Sequence, residues 1–167
     1  MITGFQLKAA KAVLGLTAKD IAGSIGVHPG TITRLCDTKN LEYLKCSVKN
    51  LVLIKKFFEK NNILFPNEKT ISLYREIKNI NSEKLTRFQL KAARIATGMT
   101  QEELGFHIKI SSSMLSILEN LENDQYIDPS KINTNILKKF FEHLGIFFPD
   151  DFTVTIEKDS QILAKKS

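Results

Sequence analysis

The sequence predicts a mainly α protein built twice from one unit, each unit closed by a small β-hairpin. Three observations predict it. The chain repeats itself at a fixed offset of 83 residues, with 24 identities in the 72 pairs from Ile2/Leu85 to Leu73/Ile156 and no gap. Each repeat carries the signals of two short helices joined by a tight turn, at Thr17–Asp37 and again at Thr100–Asn120. Each repeat ends in two β-branched or aromatic runs around a turn that starts with Pro66 or Pro149. One identity in three, without a gap, is far more than shared composition produces, so the chain reads as a tandem duplication. The units are 1–74 and 85–157, with a connector at 75–84 and a basic tail at 158–167.

The first helix of unit 1 is expected to start at Thr3. Thr3-x-x-Gln6 is a capping box, and Thr86-x-x-Gln89 repeats it. Leu7, Ala10 and Leu14 form an inward stripe, and Gly15 and Gly98 fall where a helix C-terminus takes a left-handed residue. Thr17 then caps a second helix, with Asp20 at the capping-box position and Ile21 and Ile25 on one face. Gly26 turns the chain and Val27 follows as an apolar plug. Pro29 suits the first turn of a third helix, where its missing N–H costs nothing, and Ile32 and Leu35 give that helix its inward stripe. Helix, three-residue turn, helix is the arithmetic of a helix-turn-helix, whose second helix enters the DNA major groove.

The passage Thr38–Cys46, and its counterpart Leu121–Asp128, has no periodicity that assigns it a structure. A longer helix is expected from about Ser47 to Asn61. Its counterpart is expected to start with Asp128 as cap and Pro129 at the first position, and to stop at Gly145. Phe57/Phe58 and Phe140/Phe141 lie on its apolar side. Ile63–Phe65 with Thr70–Leu73, and Ile146–Phe148 with Thr153–Ile156, are expected as hairpins, giving four or five helices and one hairpin per unit. An isolated two-stranded hairpin is barely stable in water, so the two are expected to pair or pack across a pseudo-two-fold axis. The connector has neither Gly nor Pro and is expected to be partly helical; the tail is expected to fray.

The 167 residues give two units of about 75 each, near the lower limit for a self-sufficient core, so the units should pack on each other as a pseudo-dimer. No apolar run reaches the ~18 residues of a membrane span, and Lys8, Lys11, Lys19 and Asp20 break up any leader-like run. Cys36 and Cys46 are too few for a disulfide framework, which fits reduced thiols and a cytoplasmic location. His28 with the two cysteines lacks zinc-ligand spacing, and there is no Gly-rich phosphate loop, HExxH or GxSxG. The expectation is a protein that is not an enzyme and uses no metal or cofactor.

Charge is uneven along the chain. Residues 1–83 carry 13 Lys+Arg against 7 Asp+Glu, a net +6, and residues 84–167 carry 11 against 11, a net 0. Two readings stand: unit 1 faces a polyanion, or surface charge drifted after duplication.

The run Leu7-Lys8-Ala9-Ala10-Lys11, Gly15-Leu16-Thr17, Ile21-Ala22, Gly26-Val27 and Thr31-Ile32 resembles the Cro/C1-type (XRE-family) helix-turn-helix regulators of bacteria. The helix and Ile-x-Phe strand that follow look like the alphaproteobacterial members. The resemblance covers residues 2–73 and 85–156. It implies a lambda-repressor-like fold and sequence-specific binding of double-stranded DNA. Members generally dimerise to read two half-sites, so the duplication looks like such a dimer fused into one polypeptide.

The resemblance implies a recognition helix at Pro29–Asp37, with Pro29, Gly30, Thr31 and Arg34 toward base edges. Arg34 is the principal candidate, because a guanidinium can bond guanine O6 and N7 together. Thr31 and Thr33 can meet a base, a thymine methyl or phosphate; Thr17 and Lys19 are phosphate candidates at the second helix. In unit 2 the equivalents are Ser112, Ser113, Met114 and Ile117, with Ser116 in the place of Thr33. Ile117 and Met114 have two readings: burial against protein, which makes unit 2 a pairing module, or contact with thymine methyls. Many members pair an Arg on the first helix with a Glu ending the recognition helix. Unit 2 keeps Arg94 and Glu119, where unit 1 has Lys11 and Cys36. It also keeps Gln101, a common phosphate contact, where unit 1 has Ala18.

The expected function is therefore transcriptional regulation at an AT-containing operator with two unlike half-sites, by occlusion or by contact with RNA polymerase. A second copy of the chain is a further candidate partner. The alternative is a protein-interaction or antitoxin-like module whose second unit has left DNA.

Overall fold

The computed structural model describes residues 1–76 and 84–158. The expected partial helix of the connector and the frayed tail lie outside the described residues, apart from their ends. Within them the chain is mixed α/β with helix predominating: eight helices and one four-stranded antiparallel sheet. Unit 1 contributes α1 (Gly4–Val13), α2 (Ala18–Ile25), α3 (Pro29–Cys36), α4 (Val48–Lys60), β1 (Ile63–Leu64) and β2 (Thr70–Leu73). Unit 2 repeats the order with α5 (Arg87–Thr97), α6 (Gln101–Ile108), α7 (Ser112–Glu119), α8 (Thr134–His143), β3 (Ile146–Phe147) and β4 (Thr153–Ile156). No helix among the described residues is long and apolar enough to cross a membrane.

The capping boxes do more than start helices. Gln6 Oε1 accepts from the Thr3 N–H at 3.0 Å, while its Nε2 donates to the Asn67 and Thr70 carbonyls in the hairpin turn. Gln89 does the same for Thr86, Asp150 and Thr153. One buried amide thus satisfies an orphan N–H of the first helix and fastens the hairpin 61 residues away in sequence.

The hairpins meet through β2 and β4, giving the strand order β1-β2-β4-β3. Thr70 pairs with Thr155, Ile71 with Val154 and Ser72 with Thr153. Under the repeat offset Thr70 corresponds to Thr153, Ile71 to Val154 and Ser72 to Thr155, so exchanging the units returns the same register. The flanking bonds obey the same exchange: Leu73 N–H donates to Phe152 O at 2.9 Å and Ile156 N–H to Lys69 O at 3.0 Å. A contact that maps onto itself in this way has two-fold symmetry. The equivalent helices α1 and α5 also pack on each other. Both are rich in fully buried alanines (Ala9, Ala10, Ala92, Ala93 and Ala96), which let backbones approach closely. One continuous hydrophobic core runs through both units.

One expected boundary is displaced. α8 starts at Thr134 with Asn133 as its cap, not at Asp128–Pro129. Asp128 Oδ1 instead accepts from Ser130 N–H at 2.9 Å, and Lys131 N–H bonds back to Asp128 O. The Asp-Pro signal therefore opens a local side-chain turn that is not continued as a helix. Buried Ile132 anchors the stretch, and Asn133 Oδ1 takes the N–H groups of Asn135 and Ile136.

Candidate nucleic-acid interface

In unit 1 the α2–α3 pair is built from local chemistry. Thr17 and Asp20 close a reciprocal cap: Asp20 Oδ2 accepts from the Thr17 N–H at 2.7 Å, and Thr17 Oγ1 from the Asp20 N–H at 3.2 Å. The Thr17 hydroxyl and then its backbone N–H hold the Asp20 carboxyl below its ordinary pKa. Gly26 ends α2 in the left-handed region, at φ 71°. Val27 then packs against the core, with its N–H on Ala22 O at 3.0 Å. His28 caps α3, its Nδ1 accepting from the Gly30 N–H at 3.1 Å. Ile32 and Leu35 are buried, which turns the opposite face of α3 outward.

That outward face carries the sequence candidates. Pro29, Gly30, Thr33 and Arg34 are exposed, and Thr31 is half-buried. Among the described residues Arg34 has no hydrogen-bond or ion-pair partner, so its guanidinium donors are available. Thr33 donates its hydroxyl to Pro29 O at 3.3 Å, within the helix itself. Thr17 and Lys19 are exposed at the N-terminal end of α2.

Unit 2 follows the same path with other chemistry. Lys109 occupies the turn position of Gly26 in the left-handed region, at φ 58°. The glycine has moved to Gly105, the equivalent of Ala22, where any Cβ would collide with the Ile110 carbonyl. Ser111 caps α7, its Oγ accepting from the Met114 N–H at 3.2 Å. Arg94 grips Glu119 through two bonds, Nε to Oε1 at 2.5 Å and Nη2 to Oε2 at 2.7 Å. Its Nη1 also donates to Met99 O at 2.8 Å. Gln101 adds a bond to Glu119 Oε2 at 3.0 Å. The two charged side chains are only 12% and 2% exposed, so this is an interior strut tying α5, α6 and α7. Gln101, a phosphate candidate by resemblance, thus has one amide N–H committed to the strut. In unit 1 the corresponding Cys36 sits near Lys11, and burial raises its thiol pKa.

No family model matches this chain, and neither a curated protein nor a solved structure does.

On α7, Ser112 and Ser113 are exposed, Met114 and Ser116 are half-buried, and Leu115 and Leu118 face the core. Ile117 is 54% exposed, so it does not bury within the chain. Sequence reasoning missed three features. His28 is a cap, a role that Pro29 at the first helical position and Ser111 at the equivalent place both signal. Phe106 is 84% exposed on α6, where unit 1 has Gly23, and stands edge-on to His107, which stacks on Phe140. The junction between units also carries polar bonds at its corners: Asn40 Nδ2 donates to Ala96 O at 2.7 Å, and Arg87 Nη1 donates to Val13 O at 2.5 Å and to Asn123. Val13 and Ala96 are equivalent, as are Asn40 and Asn123, so the same corner is closed directly on one side and through an arginine on the other.

Proposed function

We propose that the chain is a sequence-specific DNA-binding transcriptional regulator, a fused pseudo-dimer in which α2–α3 and α6–α7 act as two helix-turn-helix elements. The observation that carries this reading is the sheet register that maps onto itself. It relates the two helix pairs by a two-fold rather than a translation, as half-sites on opposite strands of a duplex require. Helix N-termini at Thr17 and Thr100, with Lys19, anchor phosphates, and the outward face of α3 samples base edges in the major groove. The half-sites are inverted and unlike, because the two outward faces differ at every candidate position. Regulation then acts through occlusion or polymerase contact.

The test is binding to random duplex DNA across a salt series, with selection of bound sequences. Salt-sensitive binding that enriches an inverted two-part motif supports the reading. Absence of binding at low salt defeats it. The second reading, a protein partner on unit 2, rests on Phe106 and on Ile136, which is 56% exposed one turn before Phe140. It gains if only one short motif is enriched and Phe106→Ser leaves DNA binding unchanged.

A further inference from the structure

We propose that unit 2 reads thymine in its half-site by apolar contact between Ile117 and the 5-methyl group, at the place where unit 1 presents Arg34 to guanine. The inference rests on the DNA-binding reading and is tested so that the two fail separately.

Position comes first. Arg34 and Ile117 are each the sixth residue of their helices, α3 and α7, and are separated by the repeat offset. Their flanking core residues correspond as well: Ile32 with Leu115, and Leu35 with Leu118, all buried. The two-fold in the sheet register therefore brings Ile117 to the mate of whatever surface Arg34 meets. The grip of Arg94 and Gln101 on Glu119 fixes the last turn of α7, so Ile117 is presented from a helix held at that end.

Chemistry then selects the base. An isoleucine neither donates nor accepts a hydrogen bond, and in the major groove the base feature that rewards an apolar side chain is the thymine methyl. The surroundings favour a methyl over a protein partner. Ile117 is the one exposed apolar side chain of α7: Met114, three residues back, is half-buried against the core, Ser113 is exposed and Ser116 half-buried, so the outward apolar surface of this helix is a single side chain. A stable protein interface needs about 800 Å² from each partner. The exposed Phe106 belongs to a separate cleft lined by Gly105, Ile110, Ser111 and Ser112, of which Ile117 is not part. At this position the operator that follows departs from inverted symmetry, with guanine on one side and thymine on the other.

The experiment uses the full chain and a randomised duplex of about 30 base pairs, long enough for two half-sites a turn apart. The most enriched duplex is then remade with thymine replaced by deoxyuridine, which keeps every hydrogen bond and removes only the methyl, one half-site at a time. Arg34→Ala identifies the half-site of unit 1 by the base whose preference it relaxes. In the other half-site, deoxyuridine should weaken binding about fourfold for each contacted methyl. Ile117→Val should keep this sensitivity, and Ile117→Ala should abolish it. Ile117→Arg should shift selection toward guanine at this position in both half-sites, making the operator symmetric there. Deoxyuridine without effect in that half-site, or selection unchanged by Ile117→Arg, overturns the inference while the DNA reading stands. A chain that enriches no duplex overturns both.

Discussion

The helix pair of unit 1 and that of unit 2 trace the same path by different means. Unit 1 turns on Gly26 and caps α3 with an imidazole; unit 2 turns on Lys109, relieves the crowding with Gly105 and caps α7 with a serine. The larger contrast is what each does with its cations. Unit 2 turns both of its arginines inward: Arg94 into the Glu119 strut, Arg87 into the junction with unit 1. Burial pulls the Arg87 guanidinium below its usual pKa, with Glu119 opposing that effect. Unit 1 has no counterpart to either arginine and leaves Arg34 outward. The difference in net charge between the halves thus understates the difference between their surfaces. Unit 2 commits its arginines to internal bonds, and unit 1 leaves its own exposed.

The comparison breaks most visibly at the strut. Glu119→Ala leaves Arg94 largely buried without its counter-ion, and the expected loss is about 3–5 kcal/mol in urea unfolding. The double variant Arg94→Lys, Glu119→Cys gives unit 2 the pattern of unit 1, so it should cost less than Glu119→Ala alone. A single variant that costs under ~1 kcal/mol, the usual worth of an exposed pair, would show that the strut carries no special weight.

Why some of this was legible in the sequence follows from the range of the signals. Capping boxes, Pro29 and the left-handed glycines act within four residues, so α1 to α3 and their copies could be placed closely. Arg94 and Glu119 were matched through the family resemblance, at positions 25 apart. The start of α8 was misplaced because Asp128–Pro129 is an equally good opening for a turn, and buried Ile132, a tertiary effect, decides between them. That the hairpins pair or pack was inferred from the marginal stability of an isolated hairpin, but the choice of pairing and its register required coordinates. The exposure of Phe106 was legible and passed over: it lies two residues from both Leu104 and Ile108, the equivalents of the inward Ile21 and Ile25, and so on the opposite face of α6.

The junction gives the next effect in size. Gly4 is the equivalent of Arg87, and a Cβ there would collide with the carbonyls of Thr38 and Lys39. That closeness goes with the reach of Asn40 to Ala96 O without a relay. Gly4→Ala should therefore destabilise by about 1–3 kcal/mol through forced backbone movement. Ala substituted for Arg87 should instead act through lost hydrogen bonds to Glu119 O and Val13 O, with no steric component. If Gly4→Ala folds with unchanged stability, the two corners are not alternative solutions to one contact.

Exchange of turn residues sharpens the comparison at about 1 kcal/mol. Lys109 sits at φ 58° and ψ 46°, where a side chain costs roughly 1 kcal/mol. Lys109→Gly removes that cost but frees the unfolded chain, so a net gain of at most ~1 kcal/mol is expected. Gly26→Lys should lose about as much. A shift in thermal midpoint of opposite sign for the two variants is the outcome expected; a loss for both would mean that the Lys109 side chain makes a compensating contact.

The smallest effect separates the two capping boxes by pH. Asp20 accepts from both the hydroxyl and the N–H of Thr17, at 2.6 and 2.7 Å, while Glu103 accepts from the Thr100 N–H at 2.7 Å. Both carboxyls are held below their ordinary values, Asp20 first by the hydroxyl and Glu103 first by the backbone N–H. A depressed folded-state pKa means that the stability supplied by the ionised form is complete above the unfolded-state value, near pH 4. It is lost as pH falls through the folded-state value. Asp20→Asn and Glu103→Gln keep an acceptor oxygen but cannot titrate. Thermal midpoints followed from about pH 6 down to pH 2 should therefore fall less steeply for either variant than for the parent. The flattening should be greater for Asp20→Asn, because the hydroxyl is the larger cause for Asp20 and comes second, after the backbone N–H, for Glu103. Equal flattening would mean that the backbone N–H alone holds both carboxylates, and the hydroxyl of Thr17 would then be available to a phosphate.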